Sequence, residues 1–266
     1  MGALLIGCWM MAPGSDEIPT TSTPDVIEAS TTPAPEKNIT NSVGIEFVLI
    51  PAGKFKMGSS EVGRSRNEIP MHYVKIENAY YLGKYGVTQK QWLEVMGNNP
   101  SKFIGDDLPV EGVSCNDVQD FVKKLNEREG SEKYRLPSES EWEYAIRAGN
   151  TTQYSFGDNA SDLGDYAWYN YNSGSKTHPV DQKRPNPWGL YSMHGNVFEW
   201  VQDKWHDDYY GAPLFGSAWE SGSGTYRVVR GGSWYFSAGG CRSASRNYFP
   251  TDMRVSSVGF RLLQEM

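Results

Sequence analysis

From Asn150 to Met266 the chain shows no helical period; Gly, Asn, Asp and aromatic residues follow one another without a repeat. Irregular connections longer than roughly 15 residues are uncommon in compact domains, so something other than helix packing must hold this half together. Immediately before it lie three short helices, each announced by a capping box. Thr88 is followed by Gln91 in TQKQWLEVMG, Ser114 by Asp117 in SCNDVQDFVKKLNEREG, and Ser138 by Glu141 in SESEWEYAIRAG. Val118, Phe121, Val122 and Leu125 fall at core spacing in the second helix. Trp142, Ala145 and Ile146 do so in the third, which is expected to stop at Gly149.

A core under so much loop needs large side chains. The chain has 9 Trp, 16 Tyr and 10 Phe although hydrophobic residues make up only 38% of it, and each ring buries a large area. With 28 Gly and 15 Pro among 266 residues, a turn-rich α+β domain fits better than a helical bundle. The net charge of -7, with no run of Lys or Arg, argues against a nucleic-acid partner.

Three regions follow from composition. Residues 1–11, MGALLIGCWMM, are apolar but too short to span a bilayer. Leu-Ile-Gly-Cys resembles a bacterial lipoprotein cleavage site with Cys8 as the lipidated residue; a simple leader is the other reading. Residues 12–42 are rich in Pro, Thr and Ser with almost nothing to bury, the composition of a disordered linker. A linker behind an anchor implies membrane attachment through the N-terminus and display outside the cell, lipid-anchored or on a virion. The folded domain is expected over 43–266, with a strand from Ile45 to Ile50 and a Pro-Ala-Gly turn into a second strand, read as a hairpin.

The candidate for holding the aperiodic half is a metal. In LYSMHGNVFEW, Asn196 and Glu199 lie close together beside Gly195, and oxygen donors of this kind suit calcium. The alternative is that Glu199 pairs with an arginine while Asn196 shapes a turn. His72, His178, His194 and His206 stand at no zinc spacing.

Taken in order, FVLIPAGKFKMGS, GVTQKQWLEVMG, LPVEGVSCNDVQDF, KYRLPSESEWEYAIRAG, HPVDQKRPNPWGLYSMHGNVFEW, RVVRGGSW and GFRLL resemble the signature blocks of the formylglycine-generating enzyme family, also called the sulfatase-modifying-factor family. The resemblance implies a loop-rich α+β domain with a C-type-lectin-like fold. It also implies a calcium site on Ser192, Met193, Gly195, Asn196 and Glu199, where Ser192 replaces the Asn or Asp common in relatives. Members that make formylglycine hold copper between two cysteines past the GGSW block. Here the second matches Cys241 but the first matches Phe236, so no copper is expected. Cys115 reads as a small buried hydrophobe. A non-copper member acting as an enzyme or accessory domain is the alternative function, with Asp252, Arg242, Arg246 and Arg254 as polar groups to consider; structural ion pairs are the other reading of the arginines.

The C-terminal stretch GGSWYFSAGGCRSASRNYFPTDMRVSSVGFRL also resembles the variable region of target proteins of diversity-generating retroelements. There an error-prone reverse transcriptase randomises adenines of a template repeat rich in AAC codons, which yields many residue types but never Trp, Lys, Glu, Gln or Met. Within about 231–261, Tyr235, Phe236, Ser237, Gly239, Gly240, Ser245, Asn247, Tyr248, Phe249, Val255, Ser256 and Ser257 all fall in the allowed set. Trp234, Cys241, Arg242, Ser243, Arg246, Pro250, Arg254, Gly259 and Phe260 read as scaffold. The mixture of Tyr with Ser, Gly and Asn is that of binding loops, and Tyr235, Phe236, Tyr248 and Phe249 are expected to expose their rings together on one face. The function implied is a displayed ligand-binding protein whose diversified surface recognises a protein or glycan on another cell or surface.

Overall fold

All three capping boxes close in the computed structural model, which describes residues 36–60 and 65–266. Thr88, Ser114 and Ser138 each accept the backbone N–H three residues on. Gln91, Asp117 and Glu141 accept in return from the N–H of the cap residue. The helices are α1 (Gln89–Met96), α2 (Cys115–Glu129) and α3 (Glu139–Arg147). α3 ends one residue earlier than expected, on a left-handed Ala148, with Gly149 following at positive φ. One further short helix, α4 (Leu163–Tyr166), occurs in the aperiodic half.

The strands are β1 (Asn38–Thr40), β2 (Glu46–Ile50), β3 (Gly53–Met57), β4 (His72–Ile76), β5 (Tyr80–Gly83), β6 (Tyr134–Arg135), β7 (Phe198–Lys204), β8 (Tyr226–Arg230), β9 (Arg246–Pro250), β10 (Val258–Phe260) and β11 (Leu263–Gln264). They form a five-stranded sheet in the order β1-β2-β5-β11-β6, a four-stranded sheet in the order β10-β7-β8-β9, and the pair β3-β4.

Two expectations are corrected here. The folded unit begins before Val43, because β1 pairs antiparallel with β2, Asn38 opposite Val48, and Ile39 packs on the core. The expected leader (1–11) and linker residues 12–35 lie outside the described residues. The predicted hairpin of β2 and β3 does not form either: β2 pairs with β5, and β3 with β4. The reason lies in burial. Phe47 of β2 enters one core and Val48 and Ile50 the other, whereas β3 alternates between exposed and covered positions. A strand buried on both faces must sit inside a sheet, so Pro51 and Ala52 carry the chain from one sheet to another.

The four-stranded sheet lies between two cores. Phe198, Trp200 and Val229 face the first, where Trp92, Phe121 and Phe260 interlock at ring separations of 5.3 to 6.0 Å. Val201 and Val228 face the second, with Trp142 and Leu263. Among the described residues, no helix is long and apolar enough to cross a membrane.

Candidate recognition surface

The segment 231–261 leaves β8, passes through a 3-10 turn at Ala238–Cys241, forms β9 at the edge of the four-stranded sheet, turns, and returns as β10 beside β7. Four arginines fasten it. Arg242 lays both Nη atoms on the Glu68 carboxylate at 2.9 and 2.5 Å, and Arg246 places Nε and Nη2 on Glu139 at 2.6 and 2.8 Å. Arg254 reaches Asp117 at 2.6 Å, and Arg261 holds Glu199 at 2.6 and 2.7 Å. Arg230 of β8 joins the set through Glu143 and the Ser243 and Ser245 carbonyls. Burial alone would raise the Glu139 carboxyl, but the Arg246 and Arg230 charges outweigh it and hold the group below the usual range. Arg242, Arg246 and Arg254 are therefore structural ion pairs.

Of the residues read as scaffold, Cys241, Arg242, Ser243, Arg246, Gly259 and Phe260 are buried, Trp234 and Pro250 are half-buried, and Arg254 is exposed. Those read as variable are at least partly exposed, with one exception. Tyr235 is 68% exposed and Tyr248 40%. Ser237 and Gly239 are exposed, and Gly240, Ser245, Asn247, Val255 and Ser256 are half-buried. Ser257 is buried and its carbonyl accepts the Phe198 N–H, which removes it from the surface.

The four rings do not share one open face, contrary to expectation. Phe236 meets Phe198 edge-on at 4.7 Å, and Phe249 leans on Phe198 and Trp200, so both are half-buried over the first core. Tyr248 projects to the other side of β9, where it packs on Trp205 and Tyr226 at 4.3 and 5.2 Å. Strand alternation forces this, since neighbouring residues point to opposite faces.

The glycines divide in the same manner. A Cβ at Gly239 would meet one atom, Ser237 Oγ at 3.8 Å, and at Gly240 its nearest neighbours would be the Phe236 ring and Cβ, from 3.0 Å. At Gly259 a Cβ would stand 2.4 Å from the Val110 carbonyl oxygen. At Gly232, with φ +75°, it would stand 2.5 Å from Cys241 Sγ.

The proposed calcium donors are already engaged. Glu199 gives both carboxylate oxygens to Arg261, and Oε2 also accepts the Trp142 indole N–H at 2.7 Å. Asn196 clamps the His178 backbone, accepting its N–H and donating to its carbonyl. Ser192 Oγ donates to Val180 O. Gly195, at φ +101°, packs against the Trp168 carbonyl, and Met193 is core. This set does not fit a calcium ion; the arginine reading of Glu199 is the one the geometry has. His194 serves packing as well: its Nδ1 donates to Cys241 O and its Nε2 accepts from Ser155, while burial lowers its pKa to about 4. Burial pushes the Cys241 thiol up to about 12 and the Cys115 thiol to about 11.

Two loops from outside the segment border it, and the sequence reading passed over them. Asn170 N donates to Phe236 O at 3.0 Å, Ser173 Oγ donates to Trp234 O at 2.8 Å, and Phe103 meets Trp234 edge-on at 5.6 Å. These loops carry Tyr171, 87% exposed, and Ile104, 73% exposed. Neither sits in a periodic pattern, so only the loop-to-loop bonds reveal them.

The sheets, the sparse helices and the long tied-down loops define a C-type-lectin-like domain of the formylglycine-generating enzyme type. Residues 31–266 match the sulfatase-modifying factor enzyme 1-like domain, and the chain belongs to that family. Among solved structures it resembles PvdO from Pseudomonas aeruginosa, with TM-score 0.78 and 32% identity over 88% of this chain and 100% of that one. It resembles Treponema denticola variable protein 1 with TM-score 0.79 and 32% identity, covering 87% of this chain and 100% of that one. Chaperone protein LppX of Paenibacillus barcinonensis is 31% identical over 73% of this chain and 80% of its own length. The chain spans 37% of serine/threonine-protein kinase pkn1 of Chlamydia pneumoniae, which is 30% identical over 81% of this chain.

Proposed function

We propose that the protein is a displayed ligand-binding module, the variable protein of a diversity-generating retroelement, whose specificity resides in the segment 231–261. The observation that carries this reading is the division of that segment by tolerance to side chains. Gly239 has room for a side chain, which would meet Ser237 at 3.8 Å, and at Gly240 the nearest neighbour, from 3.0 Å, is the Phe236 side chain, itself read as variable, whereas Gly232 and Gly259 abut Cys241 and Val110. Six of the nine residues read as scaffold are buried, Arg242 and Arg246 in ion pairs, and those read as variable are at least partly exposed, Ser257 excepted. The likeness to a variable protein of Treponema denticola supports the same reading.

On this proposal Tyr235, Phe236, Asn247, Phe249 and Val255 form the adaptable part of the surface. Rigid aromatic rings supply contact area at low entropic cost, and the small residues adapt around them. The partner is a protein or glycan on another cell or surface, met outside the cell through attachment at the N-terminus. Sequencing the DNA downstream of the gene tests the proposal. A near-copy of codons 231 to 261 rich in AAC, beside a reverse transcriptase gene, is the expected result; a complete locus lacking both overturns it.

A further inference from the structure

A second site lies where β7 runs out and the chain turns back to enter β8. Trp205, Trp219, Tyr210 and Tyr226 wall a cleft of about 410 Å³, and Asp207 and Asp208 stand at it. We infer that this cleft binds an organic cation, an alkylammonium group such as choline or a lysine side chain presents.

The lining is aromatic and acidic apart from His206 and Gly224. Aromatic faces attract cations through their quadrupole, and two carboxylates add negative charge. Each carboxylate uses one oxygen to hold the cleft in shape: Asp207 Oδ1 accepts the Trp205 indole N–H at 2.8 Å, and Asp208 Oδ1 accepts the Tyr210 backbone N–H at 2.9 Å. Among the described residues, no Lys or Arg lines the cleft. The basic residues adjoining it in sequence are engaged: Lys204 Nζ donates to Gly222 O, and Arg227 pairs with Glu220. Arg246 lies over the Trp205 ring at 4.6 Å, but its charge is matched by Glu139. His206 also lines the cleft, its Nδ1 donating to Lys204 O at 3.1 Å and its ring stacked on Trp219.

Ring contacts brace the walls. His206 stacks on Trp219 at 3.5 Å, and Tyr248 packs on both Trp205 and Tyr226. Phe236 and Phe249 lie over the opposite face of the sheet, so of the four rings in the recognition segment Tyr248 alone touches the cleft walls.

The test titrates the full chain with choline and with its neutral isostere 3,3-dimethylbutan-1-ol, following indole fluorescence and calorimetry. Choline is expected to bind saturably and roughly tenfold more tightly than the alcohol, and more weakly as salt rises. Tyr210→Ala, at an exposed position, and Asp208→Asn are each expected to weaken it about fivefold or more with melting unchanged, while Phe236→Ala leaves it intact. Equal binding of the alcohol, no choline binding by the folded chain, or saturable binding of methyl mannoside without choline binding would each overturn the inference.

Discussion

Arg246, in the middle of the segment that carries the exposed aromatics, closes on the Glu139 carboxylate in the first turn of α3, 107 residues earlier in the chain. A charged pair taken out of water is costly to break because the remaining charge has no partner. Glu139 would keep Arg230 at 3.3 Å, so replacing Arg246 with Met is expected to cost about 3 kcal/mol, the lower end for a broken buried pair, measured by denaturant unfolding. Replacing Tyr235 with Ala should stay within about 0.5 kcal/mol.

The three rings outside the first loop position should fall into two classes. Phe236→Ala and Phe249→Ala are expected to cost about 1–3 kcal/mol, short of the 3–5 kcal/mol of a fully buried Phe. Tyr248→Ala acts on the other face, through Trp205 and Tyr226. Chemical melts of the single variants, with Trp205 fluorescence as the local reporter, separate these effects; a Trp205 signal that responded to Phe249→Ala but not to Tyr248→Ala would contradict the assignment of faces.

Gly239→Ala and Gly259→Ala differ by one methyl each in the same segment. The first should be silent within about 0.5 kcal/mol, since it meets only Ser237 Oγ at ordinary contact distance. The second drives a methyl onto the Val110 carbonyl and is expected to cost about 1–3 kcal/mol or more. Thermal melts of the pair check this.

Calcium offers a clean contrast. A metal held only by the folded state would raise the melting temperature by mass action. Because Arg261 occupies Glu199, a chelator is expected to leave the melting temperature unchanged, and Glu199→Ala to lower it equally with and without chelator. A chelator-sensitive melt in the parent protein would restore the metal.

Buried His194 should make stability fall in mild acid. Its folded pKa, about 4, lies below the ordinary value of 6.5, so its contribution is complete above about pH 6.5 and is lost as the pH drops toward 4. The loss is at most about 1.4 kcal/mol per pH unit. Asp203 works in the opposite sense: burial, with the Glu139 charge adding to it, raises its carboxyl to about 7, so its contribution is complete at low pH and lost as pH rises through 7. The difference between parent and His194→Gln unfolding free energies from pH 7.5 to 4.5 isolates the histidine, and a flat difference would refute this reading.

The helices were legible because a capping box joins residues three apart: Thr88 with Gln91, Ser114 with Asp117 and Ser138 with Glu141 need nothing beyond the local chain. Which positions of the last segment are covered was legible in part for a related reason, since charge, size and the lack of a side chain are properties of single positions; Trp234, Arg254 and Ser257 depart from that pattern. Tertiary structure alone decided which partner each of these found. Arg242 meets Glu68 across 174 residues and Arg254 meets Asp117 across 137. The same holds for β2, which takes β5 rather than its neighbour β3, and for Tyr248, which turns away from Phe249 once β9 is a strand. Desolvation is the physical reason: whether a carboxylate faces water, a cation or an arginine depends on which distant segment covers it, and no local pattern records that.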